Sequence, residues 1–301
     1  MEHRGFDELT RRLGATTTRR GTIGGLAALA GLGAGGVFAE KRGRIGNRDK
    51  GARPRITDGV LDGEGHPYVG LMVAIDTDGK PLWRCSGTLV SSTLFITAGH
   101  CTEDPANRIE IWFDADVQSG IPGNGYPYVG KAHGTPYTHP QYDPSAFYAH
   151  DLGAVVLDAP LIRSAYGVLP ELDQLDALKT RRGTQDVTFT AVGYGMQRSF
   201  PDAASWKDQA LKVRMIATPK LLQINTGFTG DGSLMLSNNA HTGGTCFGDS
   251  GGPNFVRSSP VIGGVTSFSL NGTCSGTGGV YRIDRKDDLD WLYGAFKDEL
   301  P

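Results

Sequence analysis

The chain has 301 residues, of which 39% are hydrophobic, enough to bury a sizeable core in one large or two small domains. Its net charge is only −2, but residues 1–55 hold 12 Lys and Arg against 5 Asp and Glu, while residues 56–301 hold 18 against 27. A basic leader thus precedes an acidic body, which excludes a body built to bind nucleic acid, and the 44 glycines favour turns and short strands over long helices.

Met1–Arg20 is polar and carries the pairs Arg11-Arg12 and Arg19-Arg20, whereas Ile23–Ala39 holds no charge and ends in the small-residue site Val37-Phe38-Ala39. This order predicts an export signal over residues 1–39. Thr18-Arg19-Arg20 is similar to a twin-arginine signal, although Gly21 and Thr22 replace the bulky apolar residues such a signal carries. A soluble helical hairpin is the other reading of this stretch. It is too short and too rich in Gly and Ala for a permanent membrane span, so no stable anchor is expected after signal removal. Residues 40–55 are charged, contain Pro54 and lack apolar periodicity, which predicts a linker or propeptide.

Apolar or alternating runs then predict short strands at Tyr68–Ile75, Leu82–Cys85, Leu94–Ala98, Arg108–Phe113, Leu152–Leu157, Val187–Val192, Leu211–Ala217, Val261–Phe268 and Gly279–Ile283. Clusters of Gly, Pro, Asp and Asn separate them, a spacing that argues for an all-β barrel or sandwich. Asp116–Ala149 shows little periodicity and reads as loops. Its His133 and His139 lack ligand spacing and are expected at the surface, and His150 is expected to be exposed or structural. Leu289, Leu292, Phe296 and Leu300 fall at helical spacing, predicting a helix over Lys286–Leu300.

The chemistry concentrates in Gly248-Asp249-Ser250-Gly251-Gly252-Pro253 and Thr97-Ala98-Gly99-His100-Cys101. A serine hydroxyl is a weak nucleophile at neutral pH and needs a base for its proton and donors for the oxyanion its attack creates. Glycines around Ser250 let the backbone approach a carbonyl and turn the Gly248 and Ser250 amides toward one point, and His100 is the candidate base. Cys85 and Cys101 flank the strand leading to His100, and Cys246 and Cys274 bracket Ser250. Four cysteines allow three connectivities, and spacing alone does not choose between them. No C-x-x-C or H-x-x-x-H cluster supports a metal site, and no cofactor is expected.

Both motifs, in this order, resemble the chymotrypsin/trypsin-like serine peptidases, in which GDSGGP surrounds the nucleophile and TAGHC the base. The resemblance is to the secreted bacterial type and spans roughly residues 56–299. It is visible also in Gly193-Tyr194-Gly195 and in Ser267-Phe268-Ser269 through Val280-Tyr281, and it is thin over 102–148 and 196–245. It implies two six-stranded antiparallel β-barrels with the active site between them, one over residues 56–165 and one over 166–301 with a C-terminal helix. It implies a triad of His100, Asp151 and Ser250, in which Asp151, just before an apolar strand, orients the base. The Gly248 and Ser250 amides would hold the oxyanion, and disulfides would join Cys85 to Cys101 and Cys246 to Cys274, as an oxidising compartment permits.

Arg55-Ile56 resembles the site at which such enzymes are cleaved for activation, although Thr57-Asp58 departs from the usual sequence. A freed ammonium on Ile56 would pair with buried Asp249, and a separate activating peptidase is a possible partner. The residue six before the nucleophile, here Gly244, lies at the base of the primary specificity pocket in that family. Thr245, Phe247, Ser267, Phe268, Ser269 and Gly279 would complete an open, uncharged pocket suited to a bulky apolar side chain. Protein or peptide substrates and a monomeric state are expected. A catalytically inactive exported binding module of the same fold is the alternative, and such a module usually loses the serine, the histidine or the flanking glycines. A serine esterase of another fold also carries G-x-S-x-G, but it has the order Ser-Asp-His and a helix after the serine.

Overall fold

The computed structural model describes residues 58–179, 186–199, 208–209, 211–227 and 229–301. The expected export signal, the linker, Arg55 and Ile56 lie outside the described residues.

The strand β1 (Val60–Leu61) is followed by six that close into a barrel: β2 (Val69–Ile75), β3 (Pro81–Leu89), β4 (Leu94–Thr97), β5 (Arg108–Trp112), β6 (Ala132–Thr138) and β7 (Gly153–Leu157). Their order around the barrel is β2-β3-β4-β7-β6-β5, with every neighbouring pair antiparallel. All seven residues of β2 are buried, as its uninterrupted apolar run requires. The β2–β3 turn is set by Asp76, whose carboxylate accepts from the Asp78 and Lys80 amides at 2.9 and 2.8 Å, and by Gly79 at φ +78°. Leu71, Met72, Ile96, Ile111 and Val155 are almost wholly buried in one apolar cluster. Each such side chain contributes about 1.5–3 kcal/mol through removal from water.

The second half contains β8 (Phe189–Gly193), a two-stranded ribbon of β9 (Arg198–Ser199) and β10 (Asp208–Gln209), β11 (Met215–Ala217), β12 (Leu221–Thr226), β13 (Gly230–Asn238), β14 (Pro253–Val256), β15 (Ile262–Ser269) and β16 (Gly276–Arg282). Here the expectation of a second closed six-stranded barrel is corrected. The strands form an eight-stranded sheet in the order β1-β11-β8-β14-β15-β16-β13-β12, a half-barrel. Two features account for this. The N-terminal β1 crosses over to add itself to the edge at β11, and Pro219 splits the edge chain into β11 and β12. The split ends still approach one another, since the Phe189 amide donates to Pro219 O and the Leu221 amide to Val187 O, both at 2.8 Å.

Buried Arg214 fastens the crossing segment. Its Nε donates to Asp62 Oδ2 at 2.7 Å, and its other nitrogens donate to Gly63 O, Val69 O, Phe113 O and Tyr194 Oη. A buried guanidinium so fully paired leaves few donors unmet. The two halves also share one apolar cluster, in which Tyr194, Phe255, Ile262 and Leu292 join the barrel core.

The predicted loop over Asp116–Ala149 is corrected by a short helix, α1 (Val117–Gly120), and by β6. The predicted terminal helix is present as α2 (Lys286–Ala295), ending five residues early with Phe296 as its C-cap. Leu289 and Leu292 face inward from it, and its buried Asp288 meets the Tyr281 hydroxyl at 3.0 Å through both oxygens. Burial, with the Asp287 charge beside it, pushes the Asp288 pKa up to about 8. No helix among the described residues is long and apolar enough to cross a membrane.

Candidate active site

Strand register brings His100 and Asp151 together across 51 positions of sequence. β4 and β7 pair with Thr97 opposite Gly153, so the turn leaving β4 lies beside the chain entering β7. His100 sits in that turn, in a single 3₁₀ turn over Gly99–Cys101. Its backbone N–H donates to Asp151 Oδ1 at 2.9 Å, and its ring Nδ1 lies 3.0 Å from Oδ2. Asp151 is fully buried, and Ser267 Oγ on β15 donates to its Oδ2 at 2.5 Å. The carboxylate therefore holds the ring in one orientation and favours the tautomer with the proton on Nδ1. Burial pulls the His100 pKa down, but the charge and hydrogen bond of Asp151, with the Glu103 charge, outweigh it and leave the pKa above its ordinary value.

Ser250 stands on the loop between β13 and β14, pinned from both halves. The Gly251 amide donates to Thr266 O at 2.7 Å, and the Ser86 amide of β3 donates to Ser250 O at 2.8 Å. Ser86 Oγ adds a bond to Gly248 O at 3.0 Å and accepts from the Tyr194 amide at 3.0 Å. With two carbonyls of the loop drawn to Ser86, Gly248 adopts φ +91°, a conformation glycine takes without strain. The Gly248 and Ser250 amides donate to no protein acceptor among the described residues. Ser250 and His100 line one cavity. No hydrogen bond joins their side chains here, a contact that commonly tightens only when substrate binds.

Asp249 turns away from the cavity and is buried. Its Oδ1 accepts from the Gly195 amide at 2.7 Å and its Oδ2 from the Cys246 amide at 2.9 Å. Burial dominates and pushes its pKa up to about 6, against the lowering effect of those two amides and of the Arg84 charge. The disulfides join Cys85 to Cys101 and Cys246 to Cys274, the two pairings the resemblance implied. The first ties β3 to the His100 turn, and the second ties the Ser250 loop to the segment before β16.

Of the expected pocket residues, the cavity gathers Thr245, Phe247, Ser267, Phe268 and Ser269. Gly244 and Gly279 do not line it. Sequence reasoning missed Asn271 in the lining, the seam residue Ser86, and Asn238 packed against Gly244. Only the short polar strings around these three could have signalled them.

His139, expected at the surface, is buried: it stacks on His150 with ring centroids 5.2 Å apart and meets the Trp291 ring of α2 edge-on at 5.0 Å. Ligand atoms of His139, His150 and Asp288 lie within 4.8 Å of one another. The nearly parallel rings, at 9°, do not turn two nitrogens in plane toward one point, and the Tyr281 hydroxyl already bonds both oxygens of Asp288. His133 is half-buried, with its ring 3.5 Å from the Asp158 carboxylate.

The family model described as Trypsin matches residues 63–291. Phenoloxidase-activating factor 3 of Holotrichia diomphalia is 26% identical over 260 residues, covering 77% of this chain and 71% of that protein. Serine protease 1 of Drosophila melanogaster is 26% identical over 257 residues, 81% of this chain and 86% of that one. These relatives are insect proteins and lend no support to a bacterial type. Among solved structures, HL collagenase aligns with a TM-score of 0.59 at 18% identity, covering 81% of this chain and 97% of its own. Human heparin binding protein aligns with a TM-score of 0.56 at 18% identity, covering 78% and 93%. At that identity the structures speak for the fold alone.

Proposed function

The chain belongs to the trypsin family and is a serine-type endopeptidase, and from that premise we propose that it hydrolyses peptide bonds through an acyl-enzyme on Ser250. The observation that carries the proposal is the hydrogen-bonded chain Ser267–Asp151–His100 ending at the cavity that holds Ser250. His100 takes the proton of Ser250 as the hydroxyl adds to the substrate carbonyl, then returns it to the leaving amine. Asp151 keeps the ring oriented and stabilises the imidazolium without taking its proton. The Gly248 and Ser250 amides, which have no protein acceptor among the described residues, receive the oxyanion. Water enters by the same route to release the acyl group.

The primary specificity pocket is uncharged, since its lining carries no carboxylate or ammonium. The protein is exported through the signal at residues 1–39, a reading the two disulfides support because such bonds persist in oxidising compartments. It is made as a zymogen cleaved between Arg55 and Ile56. Asp249 supports this: a buried carboxylate whose hydrogen bonds among the described residues come from two amides is a fitting partner for a new ammonium. A fluorophosphonate probe tests the nucleophile directly. Modification of the peptide containing Ser250 is expected, and modification elsewhere, or none in protein beginning at Ile56, would refute the assignment.

A further inference from the structure

We propose that His139 is a positioning residue for the Asp151–His100 pair: its neutral ring clasps the loop that leads into Asp151, and a proton on that ring opens the clasp. The inference rests on the reading of Asp151 as the group that orients His100, and it names a regulation of that site.

The loop over residues 139–150 follows β6 and runs into Asp151. Its two ends meet at Leu152. The His139 amide donates to Leu152 O at 2.9 Å, and the Leu152 amide donates to His150 O at 2.8 Å. The His139 and His150 rings stack across this joint, nearly parallel, with centroids 5.2 Å apart. Trp291 of α2 meets the His139 ring edge-on, and His139 is 2% exposed. The loop also presses on the turn that carries the base. A Cβ added at Gly99, the residue before His100, would stand 3.2 Å from Tyr142 Cδ2 and 3.2 Å from Leu152 N. A displaced loop therefore disturbs both Asp151 and the His100 turn.

The joint needs holding. His150 lies at φ +52°, in the left-handed region, a costly conformation that persists only where its surroundings impose it. Those surroundings are the His139 ring stacked on it and the Asp287 carboxylate of α2, with Oδ2 3.1 Å from His150 Nδ1. Asp151 is the next residue, so a relaxing His150 would swing the carboxylate away from His100.

His139 keeps this place only as a neutral ring. Its Nδ1 lies 3.2 Å from the Gln141 amide, which can only donate, so Nδ1 accepts and the ring proton sits on Nε2. A second proton would have to enter at Nδ1, where it would face the Gln141 N–H. The groups around the ring do not welcome the charge. His150 opposes it from the loop. On α2, Asp288 Oδ1 lies 3.9 Å from Nε2, with the Tyr281 hydroxyl of β16 on its two oxygens. The Asp288 pKa, pushed up to about 8 by burial and the Asp287 charge, leaves that acid protonated in neutral and acid solution. Burial, and then His150, hold the His139 pKa below its ordinary value, against the backbone and charge of Asp287. A protonated His139 thus loses its amide donor and sits as a poorly compensated buried cation.

The test follows the rate at which a fluorophosphonate labels Ser250, in protein beginning at Ile56, from neutral pH down the acid limb. Reaction requires both His100 and His139 unprotonated, so the limb should steepen from about tenfold to about a hundredfold per pH unit. The shallow part belongs to His100, whose pKa is raised, and the steep part lies lower, where His139 titrates. His139→Gln offers the Gln141 amide an oxygen but takes no proton, so its limb should stay at about tenfold per unit throughout. His150→Asn keeps a residue that tolerates the left-handed backbone and removes the opposing ring, so the steep part should move to higher pH. That variant carries the test if His139→Gln does not fold. Near-UV circular dichroism should stay constant across the range. A single slope in the wild-type protein, a steep part that survives His139→Gln or is unmoved by His150→Asn, or loss of the near-UV signal along the steep part would overturn the clasp alone. Failure of the probe to label Ser250 at neutral pH would overturn the triad reading instead, and the clasp with it.

Discussion

In the closed barrel, His100 and Asp151 rest at the ends of paired strands that bury Ile96, Ala154 and Val155, all fully buried and apolar. In the eight-stranded sheet, Ser250 rests on a loop wrapped around buried Asp249, beside strands that also bury Asn238 and Asn254. The barrel holds its part of the site with apolar packing and a complete set of hydrogen bonds. The sheet holds its part with polar groups, one of which is a carboxylate shifted far from its ordinary pKa. Apolar packing has one stable arrangement, whereas a buried charge responds to what is placed beside it. On the proposed reading the base is preset in the barrel, and the loop carrying Ser250 is the half that would answer to an ammonium placed beside Asp249.

Removing one group from each half measures this division. Ser250→Ala should lower kcat by about six orders of magnitude with the fold intact, because it removes the hydroxyl proposed to attack the substrate. Asp151→Asn should lower kcat by about four orders of magnitude at neutral pH, by favouring the wrong tautomer of His100. Steady-state kinetics on purified variants, with circular dichroism as the folding control, check both. If Asp151→Asn cost less than tenfold, the barrel half would not be presetting the base at all.

A smaller effect separates the halves by pH. The folded pKa of Asp249, about 6, lies above the ordinary carboxylate value. Below the unfolded pKa both states are protonated there and no stability is lost. As pH rises through 6, the folded state must give up a proton it holds more tightly than the unfolded state does, and stability falls. The whole loss is about 3 kcal/mol, roughly half of it between pH 5 and 8. Uncleaved protein should therefore unfold at lower denaturant at pH 8 than at pH 5, and Asp249→Asn should flatten that difference. Cleavage after Arg55 should flatten it too, by supplying the ammonium. An unchanged slope in the cleaved protein would break the link between Asp249 and activation.

The same contrast explains what could be read from the chain. His100 and Ser250 were legible because each sits in a contiguous string whose residue types answer one chemical need. The barrel strands β2 and β4 were legible because their inner residues are large and apolar. β6 was not, because its inner face is Ala132 and Gly134, with Pro136 following, and small residues leave no apolar alternation. Its presence depends on the two strands it joins. Strands β12 and β13 were hidden by Asn, Gly and Ser in a run that is buried only by its partners. Ser86 and Asn238 act across register: Ser86 reaches Gly248 over 162 positions, and Asn238 fills space above Gly244. His139 is buried by Trp291 of α2, 152 positions later, so its own neighbourhood carried no sign of it.

The smallest expected effect lies where the halves meet. Ser267 belongs to the sheet, yet its hydroxyl donates to Asp151 of the barrel. Ser267→Ala removes one donor and leaves the carboxylate with the His100 amide and ring. A hydrogen bond to a charged group contributes about 1.5–3 kcal/mol, but Asp151 keeps its other partners, so a loss of about tenfold in kcat is expected. The sign of a second change follows from charge. With one donor fewer, the Asp151 carboxylate bonds the imidazolium of His100 more strongly. The pKa of His100, already above its ordinary value, should rise further. Because attack requires the neutral ring, the acid limb of kcat/KM against pH should move to higher pH in Ser267→Ala. A fall in kcat without that movement would mean that Ser267 only fills space beside the cavity, and that the two halves are not coupled through Asp151.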